Sequence, residues 1–420
     1  MRDAFHHPAR VMPPGTQRAA LGGTIRQVPE DFLVEEIPLL KPTGRGEHVI
    51  FQVEKRGMST FDLLLRLSKG AKVSEQRIGY AGLKDTRAVT RQHFSVSRIP
   101  PERLLGIEHP RFRVLTAIRH PRGLKIGYHR GNRFTIRIRN VNRERIPAAR
   151  RALEEIYAHG MPNAYGTQRF GVRQDGHELG RAIVNEDWTT FLAHLLGCPS
   201  PREHDSRVVA ARRAYDEGRV EEALKRFPLK HRLEKKAASA LSRTGSPREA
   251  FLALGRRPRR IWIAAWQSYL FNRVLARRVE DGTHDRLLPG DVACLDESLA
   301  FFPVDQDAGT EPARARPTGP LVGYDLPLAR GRPGEIERDV LRIEGAEPEA
   351  FRADHVRARG NRRPLSVPVW QATLEDEDDG SVTVRFVLPP GSFATVLLEH
   401  LMASPASASS PGNATVGPAG

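Results

Sequence analysis

From Arg133 to Val141 the chain reads RFTIRIRNV. Phe134, Ile136 and Ile138 fall on one side of a two-residue period; Arg133, Thr135, Arg137 and Arg139 fall on the other. At 3.6 residues per turn a helix would mix these two sets, so the segment is a strand. Its apolar side must be covered by another layer, and its basic side faces either water or an anionic partner. Any fold for this chain therefore contains a sheet with one packed face.

Other segments repeat the alternation or break it with helical spacing. Val49, Phe51 and Val53 alternate with polar neighbours, as do Val382, Val384, Phe386 and Leu388. Ser59 and Thr60 can cap a helix whose Phe61, Leu64 and Leu65 would share a face. Pro147 opens a helix that Gly160 can end. IWIAAWQSYLFNRVLARRVEDG (261–282) reads as a long amphipathic helix, with Trp262, Trp266, Tyr269 and Leu270 as core. The acidic run EDEDDG (375–380) ends in Asp-Gly and reads as a solvated hairpin turn. Pro389-Pro390-Gly391 turns the chain, and Ser392 can cap a last helix carrying Val396, Leu397 and Leu401. From about 189 to 260 the texture changes to helix formers and charges, as in ARRAYDEGRVEEALKRF, which marks a separate, more helical domain. No internal repeat is evident.

Composition narrows the class. With 420 residues, two domains are expected. Hydrophobic residues at 39% and charged residues at 28% suit a soluble globular protein. The net charge of +16 favours a polyanionic partner, and nucleic acid is the commonest. Cys198 and Cys294 are too few and too distant for a disulfide framework or a cysteine zinc site. No apolar run could span a membrane and no secretory signal is present, so a cytoplasmic location is expected. Phosphate-loop, GxSxG and HExxH motifs are missing, and the histidines build no obvious metal site. Cofactor-free carboxylate chemistry fits what remains.

The segment IGYAGLKDTRAVTRQ (78–92) is the most informative. Two glycines give a tight backbone path, and Lys84-Asp85 follows with Arg87 and Arg91 close by. Cations around a carboxylate favour its ionised form and can hold phosphates beside it. Residue chemistry alone also allows a surface turn with an ordinary salt bridge.

This segment, extended to HFSV, closely resembles the signature of the TruD family of tRNA pseudouridine synthases. Four further segments resemble that family in the required order: PEDFLVEE (29–36) with GRGEHVIFQVEKRG (44–57), RGNRFTIRIR (130–139), MPNAYGTQRFGV (161–172) and LPPGSFATVLLEHL (388–401). The resemblance implies an α+β fold: a pseudouridine-synthase catalytic domain with a mixed, largely antiparallel sheet, interrupted by a family-specific α/β insertion. The expected layout is a disordered N-terminus over 1–20, catalytic domain over 21–187 and 369–403, insertion over 188–368, and a disordered tail over 404–420.

The resemblance also implies site residues. Asp85 matches the catalytic aspartate. Phe32, Asn163 and Phe393 match substrate-contacting positions, and Tyr165 stands where an aromatic ring stacks on the target base. Lys84 is expected among the substrate-binding residues, and Arg26 stands where a basic residue pairs with Asp85. The implied partner is tRNA, modified at uridine 13 of the D arm by a monomer without cofactor, metal, membrane or protein partner. Two rival classes fit less well. A pure RNA binder needs no carboxylate among phosphates, and a methyltransferase needs a glycine-rich donor loop that is not found.

Overall fold

A computed structural model describes residues 19–295, 300–305 and 315–402. The expected tail at 404–420 and the first 18 residues lie outside these. Ala19, expected in a disordered end, is instead buried, and its N–H donates to the His400 carbonyl. The described chain forms two compact units: residues 19–161 with 367–402, and residues 162–366.

The discontinuous unit is built on a ten-stranded sheet. Strand His129–Val141 lies inside it, antiparallel to Val382–Leu388 on one side and to Phe32–Pro38 on the other. Strand Phe32–Pro38 then runs parallel to Val89–Ser97, which pairs antiparallel with His48–Arg56. Phe134, Ile136 and Ile138 are buried, as the alternation requires. Arg133, Arg137 and Arg139 are partly exposed, and each has an acidic partner. They pair with Glu35 at 3.2 Å, Asp379 at 3.6 Å and Asp31 at 2.7 Å. The acidic turn between strands Trp370–Asp376 and Val382–Leu388 is a hairpin, as expected, but its Asp379 covers the basic strand.

Helix Thr60–Ala71 covers one face of this sheet. Ser59 caps it by accepting from the Asp62 N–H at 3.1 Å. Its buried side is Leu63, Leu64, Leu67 and Ala71, packed with Phe51, Phe94 and Val96. The expected face was off by one position: Phe61 and Leu65 are exposed, because the stripe at i, i+1, i+4 and i+8 starts from Leu63. Helix Ile146–His159 ends at Gly160, whose φ of 86° suits glycine. Helix Ala394–Met402 closes the unit; Ser392 does not cap it, and Phe393 instead accepts from the Val396 N–H through its carbonyl.

The other unit is mainly helical. Helix Arg256–Glu280 runs through it and buries Trp266, Tyr269 and Leu270. Helix Gly176–Val184 packs on it so closely that a Cβ at Gly180 would lie 2.1 Å from the Trp262 carbonyl oxygen. A four-stranded antiparallel sheet completes the unit, in the order Phe301–Pro303, Val292–Leu295, Ala315–Leu321, Asn361–Pro364. The texture change read near 189 falls inside this unit.

Candidate active site

The loop from Ala81 to Ala88 joins a short strand, Gly79–Tyr80, to Val89–Ser97, and almost every turn of it is held by a named partner. The Ala81 carbonyl accepts from the Gly127 N–H at 2.7 Å, and the Gly82 carbonyl from Gln92 Nε2 at 3.3 Å. The Lys84 N–H donates to Thr60 Oγ1 at 3.1 Å. The Asp85 carbonyl accepts from Lys55 Nζ at 2.8 Å, and the Ala88 carbonyl from the Gly57 N–H at 3.1 Å. A loop tied at five points presents its side chains in one arrangement.

The Asp85 carboxylate emerges from this loop about one-third exposed, with Arg26 Nη2 on its Oδ1 at 3.1 Å. Arg26 sits in the left-handed backbone region, φ 59°, where a non-glycine residue is uncommon. Its guanidinium lies 4.0 Å over the ring of Phe32, and Phe32 is buried edge-on against Phe134. The structure thus brings Arg26, Phe32 and Asp85 together in a stack. Arg87 and Arg91, which follow Asp85 in the same segment, are not the cations that pair with it: Arg91 pairs with Glu54 at 2.8 Å.

Lys84 points elsewhere. Its ammonium is buried against the Glu36 carboxylate at 3.0 Å and Asn132 Oδ1 at 2.7 Å. Glu36 also accepts from the His93 N–H at 3.0 Å, and His93 Nδ1 lies 3.3 Å from it. Burial alone would raise the Glu36 carboxyl. Hydrogen bonds from His93 and the charge of Lys84 more than offset that and hold it down to about 2. Burial and Lys84 together also lower His129.

Lys55, buried at the end of strand His48–Arg56, donates to the carbonyls of Met58 at 2.7 Å and Asp85. Burial pushes its ammonium down to about 8, against the pull of the Asp85 carboxylate. Sequence reasoning missed both Lys55 and Glu36. Phe393 is half-buried just before helix Ala394–Met402. It follows Leu388, which pairs with Asn132, so its segment leaves the sheet beside the Lys84–Asn132 contact.

Asn163 and Tyr165 belong to the other unit, where they share a partner that was also missed, Arg363. Its Nη2 donates to Asn163 Oδ1 at 2.5 Å, and its guanidinium lies 4.3 Å from the Tyr165 ring. Asn272 exchanges two hydrogen bonds with the Tyr165 backbone, each 2.9 Å, and Phe271 packs edge-on to the ring. Among the described residues no group of three or more His, Cys, Asp or Glu could hold a metal ion.

Comparison with known proteins adds to this geometry. The profile described as tRNA pseudouridine synthase D (TruD) matches residues 15–401. A protein of Geobacter metallireducens named tRNA pseudouridine synthase D is 39% identical over 395 residues, covering 93% of this chain and 96% of its own length. One of the same name from Syntrophotalea carbinolica is 38% identical over 387 residues, covering 91% of this chain and 96% of its own. A TruD crystal structure from Methanosarcina mazei superimposes with a TM-score of 0.81 at 30% identity, covering 96% of this chain and 98% of that one. A sheet that is antiparallel in all but one pairing, carrying a fixed Asp85 loop, accords with those matches, and the chain belongs to the tRNA pseudouridine synthase D family.

Proposed function

We propose that this enzyme isomerises uridine 13 in the D arm of tRNA to pseudouridine, with Asp85 as the catalytic residue. The observation that carries the reading is the Asp85 carboxylate itself. It is partly exposed, it is paired with Arg26, and its loop is fixed by Lys55, Thr60 and Gln92. The reaction exchanges an N1–C1′ bond for a C5–C1′ bond within one nucleotide, so its balance requires no donor group. The base must leave its stack before it can be reached, as for other base-modifying enzymes. Asp85 then attacks or stabilises the sugar fragment while the uracil turns, and the Arg26 contact holds the carboxylate in place.

Phe32, Phe393, Asn163 and Tyr165 are proposed to contact the target nucleotide, with the Tyr165 ring as a stacking face. For Lys84, the buried pairing with Glu36 supports a different role from the one expected: it anchors the loop under Asp85. The two stretches flanking residues 162–366 come together in one unit, which supports reading the intervening unit as an insertion.

The test is single-turnover pseudouridine formation on an unmodified tRNA transcript, without added cofactor, by wild type and Asp85→Asn. The variant should bind tRNA and melt like wild type, yet lose several powers of ten in rate. Near-normal turnover by folded Asp85→Asn would move the chemistry to another residue.

A further inference from the structure

The helical half of the 162–366 unit carries a half-open surface pocket of about 530 Å³. Phe170, Val172, Leu233, Ile261 and Trp262 give it apolar walls. Some charges within it are matched, Arg212 with Glu203 at 2.7 Å, Arg173 with Asp175 at 2.9 Å and Lys230 with Asp205 at 3.4 Å, while Arg169 and Arg202 hydrogen-bond to Ser268 and to the Arg173 carbonyl. Val172 is 84% exposed and Ile261 65%, and Leu229, beside the lining residue Lys230, is 84% exposed. Single exposed apolar residues are ordinary, but three associated with one cavity mark a surface made to be covered.

The charge around this cavity is as unusual as its apolar walls. Residues 232–260 hold nine Lys and Arg but only Glu234 and Glu249, so this short segment carries +7 of the chain's +16. Arg232, Lys236 and Arg243 recur at i, i+4 and i+11 on the exposed side of helix Arg232–Thr244. Arg256, Arg257 and Arg260 stand exposed at the start of helix Arg256–Glu280 with no acid in its first turn. Among the described residues none of these six makes an ion pair, unlike the strand arginines of the other unit. Lys230, His231, Leu233 and Glu234 and, from the other helix, Ile261, Trp262 and Ala265 line this pocket, so Arg232, Lys236 and Arg260 lie next to its walls in the chain, and Arg257 lies one turn before Ile261 on the same helix face.

We propose that this surface binds an unstacked nucleotide of the RNA substrate, the cavity taking the base and the free arginines the neighbouring phosphates. Only a ligand with apolar faces joined on both sides to anions answers both features. A nucleotide in a single-stranded stretch is such a ligand, because every base has a π face and the backbone carries the charge. The volume is ample for it. The proposal rests on the reading that the chain acts on RNA, and it makes this unit an RNA-holding element in its own right.

Two full-length variants test it, with an unmodified tRNA transcript as the probe. Arg232→Gln/Lys236→Gln/Arg257→Gln/Arg260→Gln should flatten the plot of log affinity against log salt. A loss of about 0.7 per phosphate contact predicts a fall of about 2–3 in slope. Val172→Asn/Ile261→Asn changes exposed positions without adding charge. It should keep the slope and weaken binding about fivefold or more through loss of the base contact. Both should melt like wild type, since all six positions are on the surface. Wild-type slope and affinity in both variants overturn the proposal. A flattened slope with unchanged affinity in the Asn variant overturns the base pocket. Wild-type protein that neither binds nor modifies the transcript would instead refute the reading of RNA as substrate.

Discussion

Replacing Glu36 with Gln should be among the most costly single changes in the unit that carries Asp85. The side chain is 1% exposed, so its ion pair with Lys84 gains little relief from solvent. Its carboxyl is held at about 2 against an ordinary 4.5. At about 1.4 kcal/mol per unit, that depression corresponds to about 3–4 kcal/mol of folding stability at neutral pH. Glu36→Gln removes it and leaves the Lys84 ammonium, only 5% exposed, facing an amide. Breaking such a buried pair costs about 3–5 kcal/mol in other proteins, which brackets the same value. The sign with pH follows from the direction of the shift. A depressed carboxyl contributes fully above about pH 4.5 and loses its contribution as pH falls toward about 2. The gap between wild type and variant in urea unfolding should therefore be widest at neutral pH and narrow steadily below about pH 4.5. A Gln variant within about 0.5 kcal/mol of wild type at pH 7, or a gap that ignores pH, would refute the argument.

Lys55 gives a dependence of the same sign in a higher pH window. Its folded value of about 8 lies below its ordinary 10.5, so between those values the unfolded chain holds more protons and stability rises with pH. Lys55→Met should lack that rise, and comparison of its melting with wild type from about pH 7.5 to about pH 9.5 checks it; parallel curves would exclude a perturbed lysine. Tyr165→Phe should keep most pseudouridine formation, whereas Tyr165→Leu should lose about tenfold or more because it removes the ring that faces Arg363 and any stacked base. Equal impairment of the two would assign chemistry to the hydroxyl.

Much of the fold was legible because strands and helices sort residues by period. The basic strand, the last hairpin and the helix ending at Gly160 all follow from spacing. What period could not supply was pairing across the chain. Arg139 meets Asp31 from 108 positions away, so a strand that reads as a free basic face is neutralised in the folded sheet. Composition likewise gives a total of +16 without saying which arginines remain free. The missed site residues did leave a signal. Lys55 continues the inward series Val49, Phe51, Val53, and Glu36 continues Phe32, Val34. A charge at an inward strand position must find a buried partner, and both find one at the Asp85 loop. Arg363 follows the same logic on strand Asn361–Pro364: Arg362 turns to Glu337 and Arg363 to Asn163, as successive strand residues must.

The surroundings of Asp85 carry costs that an aspartate merely holding a turn would not need. Arg26 accepts a left-handed backbone that costs about 1–3 kcal/mol, and its Nε is buried without a hydrogen bond. Lys55 gives up solvation to reach a backbone carbonyl, where a methionine would pack with no charge to bury. Lys84 and Glu36 are both taken out of water to hold the residue next to Asp85. An aspartate that merely closed a surface turn would gain nothing from any of these, since water and a single exposed salt bridge would satisfy it at far lower cost. All of these costs go into fixing the position of one carboxylate and its loop, which is what the proposed role of Asp85 requires.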